Sequence, residues 1–458
     1  MSERPVANVM QMIEERGLAG AQVLVIALCA LVALFDGMDL QSIGLAAPLM
    51  TAALHVAPQA FGPVFSAALA GLALGALALG PLADRIGRKR VLIGATLGFG
   101  VFTLCTAFAG GLGELLVYRF LTGVGLGGAM PSFVSLSCEY VPRRLRASVV
   151  SLMWAGFPLG GVVGGLLASR LIPAFGWRSV FFAGGAPPLL LAIALALALP
   201  ESLGYLIKTG APAERVAQTL RRVFGDAAAS CEARFVATQS EGTGARVSDL
   251  FASGRAAGTL LLWTAFFFAF LILVTNSAWS PTLLGAAGVP IDRSAVALAV
   301  FNFGSLFGSG AAGWLLTRFG TIAVLPGALA GSAAAYSAAG LCAPSIVAVA
   351  ALQGLFGLFA GCASSALIAL GAVVYPTGIR ATGVGWAMAA GRCGSFVGPL
   401  VVAGLVGARW PVASIFAAIG ALVLVGALAA LALGMRERSQ GEPISALAEL
   451  VPTAEGEG

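Results

Sequence analysis

The sequence predicts an all-α polytopic membrane protein of about twelve transmembrane helices, arranged as two pseudo-symmetric six-helix bundles. Three observations predict it. The composition is the first: of 458 residues, 59% are hydrophobic and only 10% charged, with a mean hydropathy of +0.95. A soluble domain has about a quarter of its residues charged and half apolar. The second is that the apolar residues form long unbroken runs, without the short alternating segments of a membrane β-barrel. The third is a short pattern that recurs at one offset. Together these exclude a soluble enzyme, a disordered chain and a coiled coil.

About twenty apolar residues cross a bilayer. On that measure the spans fall at 22–46, 59–82, 91–110, 115–137, 147–169, 178–199, 257–285, 294–316, 321–342, 345–373, 382–406 and 411–434. The expected organisation is a first bundle with a short cytosolic tail (1–199), a cytoplasmic central loop (200–256) with one short helix from Glu214 to Phe224, a second bundle (257–434) and a cytosolic tail (435–458) expected to be disordered. The first twenty residues carry Arg4, Glu14, Glu15 and Arg16 and read as a tail, not a signal peptide. Seven scattered cysteines read as small apolar fillers, and the single histidine, His55, is expected in an outer loop without a role. No metal site and no cofactor are expected.

The net charge of +6 is a topology signal. Of the 26 basic residues, 20 fall on one side, including Arg85, Arg88, Lys89 and Arg90 after the second span, Arg143, Arg144 and Arg146 after the fourth, and seven in the central loop. Arg170, Arg178, Arg293 and Arg409 lie opposite. Positive loops face the cytoplasm, which places both termini there and removes any need for a nucleic-acid partner. Arg119 and Arg392 remain, inside predicted helices.

The repeat aligns Gly80-Pro81-Leu82-Ala83-Asp84-Arg85-Ile86-Gly87 with Gly313-Trp314-Leu315-Leu316-Thr317-Arg318-Phe319-Gly320 at an offset of 233. Pro142 to Ala147 aligns with Pro376 to Ala381, and Gly160 and Gly164 with Gly394 and Gly398, at 234. Parallel repeats of this kind place a substrate site at their interface near the bilayer midplane.

Gly80 to Gly87, with Arg88-Lys89-Arg90, resembles the loop signature of the major facilitator superfamily after its second helix. Arg119-Phe120-Leu121-Thr122-Gly123-Val124-Gly125-Leu126-Gly127-Gly128 resembles that family's R-x-x-x-G-x-G-x-G element in the fourth helix. Asp36-Gly37-Met38-Asp39 is similar to the D-G-x-D element of the aromatic acid:proton symporters within it, as are Pro200-Glu201-Ser202, Ile379 to Gly385, and Ala390-Gly391-Arg392-Cys393-Gly394. The nearest resemblance is to the hydroxyphenylpropionate and hydroxybenzoate carriers; benzoate-type and muconate-type carriers share these motifs. Thr317 stands where the second copy of the loop signature often has Asp.

Asp36 and Asp39 lie at i and i+3, hence on one helical face. Charges at bilayer depth are expensive and mark function, and two close carboxylates favour proton uptake by one of them. The alternative is a place near a helix end in water, or an arginine partner holding the packing. Arg392 sits about ten residues into its span, and its guanidinium suits a substrate carboxylate or an intramolecular partner such as Asp36 or Asp39. Arg119 is either a coupling residue, as the resemblance implies, or half of a packing ion pair. The resemblance places Glu139 in a gate network with Arg143 to Arg146; the alternative is a solvated loop acid. Asn276, Trp279 and Asn302 are candidates for a cavity wall, because polar atoms at depth need partners. The resemblance makes Gly80, Asp84, Arg85, Gly87 and Arg88 a conformational latch, incomplete in the second copy.

The expected function is proton-coupled import of an aromatic carboxylate by alternating access, in a multi-pass protein of the bacterial inner membrane that acts as a monomer on a small-molecule substrate and protons. Proton coupling is assigned to Asp36, Asp39, Arg119 and Glu139; substrate binding to Arg392, Asp39, Asn276, Trp279 and Asn302. The same fold run as an exporter of drugs or metabolites is the alternative, and a membrane-embedded enzyme or sensor is disfavoured by the single histidine and the lack of a sizeable soluble domain.

Overall fold

The computed structural model describes residues 6–8, 14, 20–224, 234–236, 247–252, 254–343, 345–376 and 378–439. Among them are twelve helices long and apolar enough to cross a membrane. The first six are α1 (Gly20–Ala53), α2 (Phe61–Ile86), α3 (Arg88–Ala107), α4 (Leu112–Glu139), α5 (Arg143–Phe175) and α6 (Arg178–Ala198). Two short helices follow, α7 (Leu203–Lys208) and α8 (Ala213–Phe224). The last six are α9 (Ala256–Ala286), α10 (Ile291–Phe319), α11 (Thr321–Leu341), α12 (Ile346–Val374), α13 (Arg380–Gly407) and α14 (Val412–Ser439). The only described strands, β1 (Val6–Asn8) and β2 (Arg234–Val236), form a short parallel pair.

Several helices outrun the spans read from hydropathy: α1 extends to Ala53 rather than 46, and α14 carries the chain to Ser439, with the rest of the expected tail outside the described residues. The polar end of α14 keeps its backbone hydrogen bonds after leaving the apolar layer, whereas residues 47–53 of α1 are mostly apolar and lengthen that helix beyond the twenty or so residues a bilayer needs. Helix α8 matches the short helix expected in the central loop. Its Val216, Ala217, Leu220 and Val223 are buried on one side while Arg215, Arg221 and Arg222 face out. Helix α7 was not expected; it starts where the Ser202 hydroxyl accepts from the backbone N–H of Tyr205. The six described cysteines are free, and Cys342 and Cys393 are exposed instead of packed as fillers.

The chain forms two compact units. One comprises Met1–Ser42, Ala67–Gly164 and Trp177–Glu241; the other Ile43–Ser66, Gly165–Gly176 and Gly242–Gly458. In the first unit α3 packs against α4 and α6. Its α1 and α5 meet where Gly160 lies on the backbone of Leu34, and α2 and α4 meet where Gly123 lies on that of Ala68. In the second unit α9 packs on α13, α10 on α12, and α11 on α12 and α14. There Gly394 lies on the backbone of Phe267 and Gly357 on that of Phe301. No side chain fits at these crossings, which is how small residues let membrane helices touch. The second unit also takes in the ends of α1, α2 and α5 remote from the basic loops. Phe65 meets Trp279 edge-on at 5.4 Å, the Ser66 hydroxyl donates to Phe396 O at 2.9 Å, and Gly44 abuts the backbone of Ser277.

The repeat read from the sequence therefore holds in the packing. Leu34 and Phe267, or Ala68 and Phe301, are 233 residues apart; Gly160 and Gly394, or Gly123 and Gly357, are 234 apart. The backbone repeats as well: positive φ occurs at His55 and Gly288, Gly87 and Gly320, and Gly176 and Arg409, each pair 233 apart. Arg146 and Arg380 each turn back to a carbonyl five residues earlier, Val141 O at 3.3 Å and Tyr375 O at 3.4 Å.

Candidate functional site

Helices α1, α3 and α4 bring three polar side chains together inside the first unit. Arg119 donates from Nη1 to Asp39 Oδ1 at 3.1 Å and from Nη2 to Oδ2 at 2.9 Å, and the Thr103 hydroxyl donates to Oδ1 at 2.7 Å. All three residues are wholly inaccessible to solvent. The two-pronged geometry is the strong form of the guanidinium–carboxylate contact. Arg119 Nε is left buried without an acceptor. Of the two readings open for Arg119, a partner is present, and it is Asp39.

Asp36, one turn before Asp39, is 6% exposed and faces elsewhere. It lines a small recess with apolar side chains of α1, α4 and α5. The i,i+3 spacing thus keeps both carboxylates on one side of α1 but gives them different neighbours. Gly37, between them, lies on the backbone of Phe157, so α5 is held against α1 at this level.

At the basic-loop end of the same unit, Glu139 is the hub. It accepts from Arg88 Nη1 at 2.7 Å, from the Ser202 hydroxyl at 2.9 Å and from the Gly204 N–H at 3.4 Å. The described ion pair of Glu139 is thus with Arg88. Arg88 also reaches Asp84 at 3.4 Å, where the carboxylate is 55% exposed. Gly87 turns the chain with φ 106°, and its missing side chain makes room for the Glu201 carboxylate, which accepts from the Lys89 N–H at 3.0 Å. The Arg85 carbonyl accepts from the Tyr205 hydroxyl, while Gly80 faces open space. Tyr140, just past α4, donates to Glu201 O, and burial, reinforced by Glu139 and Glu201, pushes its hydroxyl well above the usual phenol range.

In the second unit the predicted cavity residues have different surroundings. Trp279 is fully buried, donates to Pro399 O at 3.0 Å and packs on Phe65. Asn302 donates to Leu298 O at 2.8 Å within its own helix. Arg392 is half-buried on α13. Asn276 joins a cluster that the sequence reading missed: Gln353 Nε2 donates to Asn276 Oδ1 at 3.0 Å, as does the Ser280 hydroxyl. Asn276 Nδ2 and Gln353 Oε1 stay buried without partners. The signal that finds Gln353 is the repeat itself, since it stands 234 residues after Arg119, and Tyr336, beside it, stands 233 after Thr103.

The family model of the Major Facilitator Superfamily matches residues 29–296 and again 261–455. The chain belongs to this superfamily. It is 38% identical over 433 residues to the 4-hydroxybenzoate transporter PcaK of Pseudomonas aeruginosa, covering 93% of this chain and 95% of the relative. It is 39% identical to the gallate transporter of Pseudomonas putida (93% and 95% covered) and 34% to the 3-(3-hydroxy-phenyl)propionate transporter of Escherichia coli (92% and 96%). The hydroxybenzoate and gallate carriers thus match at higher identity than the hydroxyphenylpropionate carrier. The fold is that of solved facilitators: a D-xylose–proton symporter superposes with a TM-score of 0.70 at 17% identity, over 89% of this chain and 96% of that one. A bacterial homologue of the human lysosomal transporter Spinster reaches 0.71 at 17% identity, over 92% and 98%. This superfamily member is a multi-pass membrane protein, and its named relatives are transporters, not enzymes.

Proposed function

We propose that the protein carries an aromatic carboxylate into the cell with protons, by alternating access, across a bacterial inner membrane with both termini in the cytoplasm. The substrate class is supported by relatives named for 4-hydroxybenzoate, gallate and 3-(3-hydroxy-phenyl)propionate at 34–39% identity over nearly the whole chain. The halves that move are 1–199 and 257–434, linked by 200–256, and a monomer suffices. The repeated glycine crossings support that division.

The observation that carries proton coupling is the dry Asp39–Arg119–Thr103 group. An ionised aspartate neutralises Arg119 and ties α1 to α4. A proton on Asp39 removes one charge, weakens the two-pronged contact and frees the guanidinium for an incoming carboxylate. That difference between two protonation states is what lets a proton bias a two-state carrier. Asp36 sits one turn away as a second proton carrier, Arg392 is the second candidate cation for the substrate carboxylate, and Asn276, Trp279 and Asn302 hold the second-half wall in shape. Glu139 with Arg88, Asp84, Arg85, Gly80 and Gly87 forms the latch at the basic-loop end, present in one copy because Thr321 replaces Arg88 at the equivalent position.

The test is uptake of labelled 4-hydroxybenzoate into proteoliposomes holding the purified protein. An outside-acid pH gradient is expected to drive accumulation above equilibrium, and collapsing it with a protonophore to abolish that excess. Accumulation only against the gradient's direction would instead identify an exporter.

A further inference from the structure

We infer that the recess beside Asp36 seats the ring of the aromatic substrate. This rests on the transport reading above and adds to it a place for the ring. The walls are Met130, Phe133 and Val134 from α4 and Met153, Trp154 and Phe157 from α5, with Asp36 of α1 as the one charged side chain lining the recess. Three aromatic rings and two thioethers around a single carboxylate form a chemistry suited to another aromatic ring. Rings prefer offset or edge-to-face neighbours, and methionine sulfur makes favourable contacts with ring edges.

Location supports the same occupant. The recess is bounded by α1, α4 and α5, and α1 and α4 also carry Asp39 and Arg119. Asp36 and Asp39 are about 4.5 Å apart along the helix axis, so a ring held beside Asp36 stays within reach of the group that binds or releases a proton. As it stands the recess has about 10 Å3 of room, space for a water and too little for a ring. The helix backbones cannot supply the difference, because Gly37 holds α5 against α1 at Phe157. Met130 can, since it is only half-buried and its unbranched thioether side chain turns aside at low cost.

The internal repeat shows that the fold does not impose this recess. The helix crossings recur 233 or 234 residues on, yet Asp36 is replaced there by Ala269, Trp154 by Met388 and Phe157 by Gly391. The side of Gly391 is occupied by Phe266 and Phe270, stacked at 6.0 Å. The skeleton repeats and the carboxylate-rimmed aromatic pocket does not, as expected of a feature kept for a ligand.

The experiment measures binding to purified full-length protein of two acids of equal size, 4-hydroxybenzoate and 4-hydroxycyclohexanecarboxylate, by calorimetry, with counterflow in proteoliposomes as a check. Wild type is expected to prefer the aromatic acid. Trp154→Leu and Phe157→Leu are each expected to cut affinity for 4-hydroxybenzoate about ten-fold while leaving the saturated acid within about two-fold, so that the preference collapses. A purely structural role weakens both acids alike. Trp154→Phe should restore most of the preference, and Val134→Phe, which fills the recess without removing a wall, should block the aromatic acid. An unchanged preference in these variants overturns the ring seat and leaves the transport reading standing. Failure of wild type to bind or exchange any aromatic carboxylate overturns the transport reading itself.

Discussion

Two buried polar clusters occupy equivalent places in the first and last six membrane helices, and they differ in charge. Arg119, Asp39 and Thr103 form a dry ion pair with a hydroxyl donor. At the matching positions stand Gln353, Ile272 and Tyr336, with Asn276 one turn beyond Ile272 accepting from Gln353. The helix crossings around both clusters are alike. One scaffold therefore tolerates either an ion pair or a neutral amide pair. Since a buried pair of charges is often no more stabilising than well-packed apolar groups, packing alone does not explain its presence in the first cluster.

The largest expected effect comes from breaking the charged cluster on one side. Asp39→Asn leaves Arg119 buried without a counter-charge and is expected to cost about 3–5 kcal/mol of stability, along with gradient-driven uptake. Thermal unfolding in detergent and proteoliposome uptake measure the two losses separately. The double change Asp39→Leu with Arg119→Met is expected to recover most of the stability and none of the coupling. Restored coupling in that double variant would remove the pair from the mechanism.

A smaller effect is expected in the neutral cluster. Gln353→Leu removes one of the two donors to Asn276 Oδ1, the Ser280 hydroxyl remaining, and should cost about 1.5 kcal/mol, the upper end of the net worth of one hydrogen bond. Uptake should weaken without a shift in its dependence on external pH. A shifted pH profile would mean that proton handling is shared between the clusters, and the contrast drawn between them would fail. The smallest effect concerns the paired left-handed turns. Gly288→His forces a side chain onto a backbone at φ 91°, further from the allowed region than the 52° of His55 at the matching position, at a cost of about 1–2 kcal/mol. The reverse change, His55→Gly, should be neutral within about 0.5 kcal/mol by thermal unfolding, because relief of the turn is offset by greater freedom of the unfolded chain.

Much of the fold was legible before any coordinates. Span number, the two-fold repeat and the basic side all follow from hydropathy and charge, because a bilayer imposes length and composition on every helix that crosses it. The charged site residues were legible for the same reason: Asp36, Asp39 and Arg119 stand out as charges in apolar runs. Their partners were not. The sequence alone leaves Arg119 open between coupling and packing, because Asp39 as its partner depends on how α1 meets α4, 80 residues away in sequence. Gln353 drew no notice because a neutral amide barely disturbs hydropathy, although the offset from Arg119 pointed to it. Trp279 looked like a cavity residue because its N–H needs a partner; that partner is Pro399 O, within the packing. The Glu139–Arg88 contact joins the ends of α4 and α3, which loop charges alone do not pair.

On the proposed mechanism, the Asp39–Arg119 pair would also set how the carrier responds to voltage. With the aspartate ionised, the pair carries no net charge, and a membrane potential exerts almost no force on it as a unit. With a proton on Asp39, one uncompensated positive charge remains inside the membrane, where moving it through the full field is worth about 2.3 kcal/mol per 100 mV. One substrate carboxylate cancels that charge. A cycle moving one proton with one carboxylate is therefore electrically silent, and only a second proton, for which Asp36 is the nearest carrier, would let the resting potential add to the pull of the pH gradient.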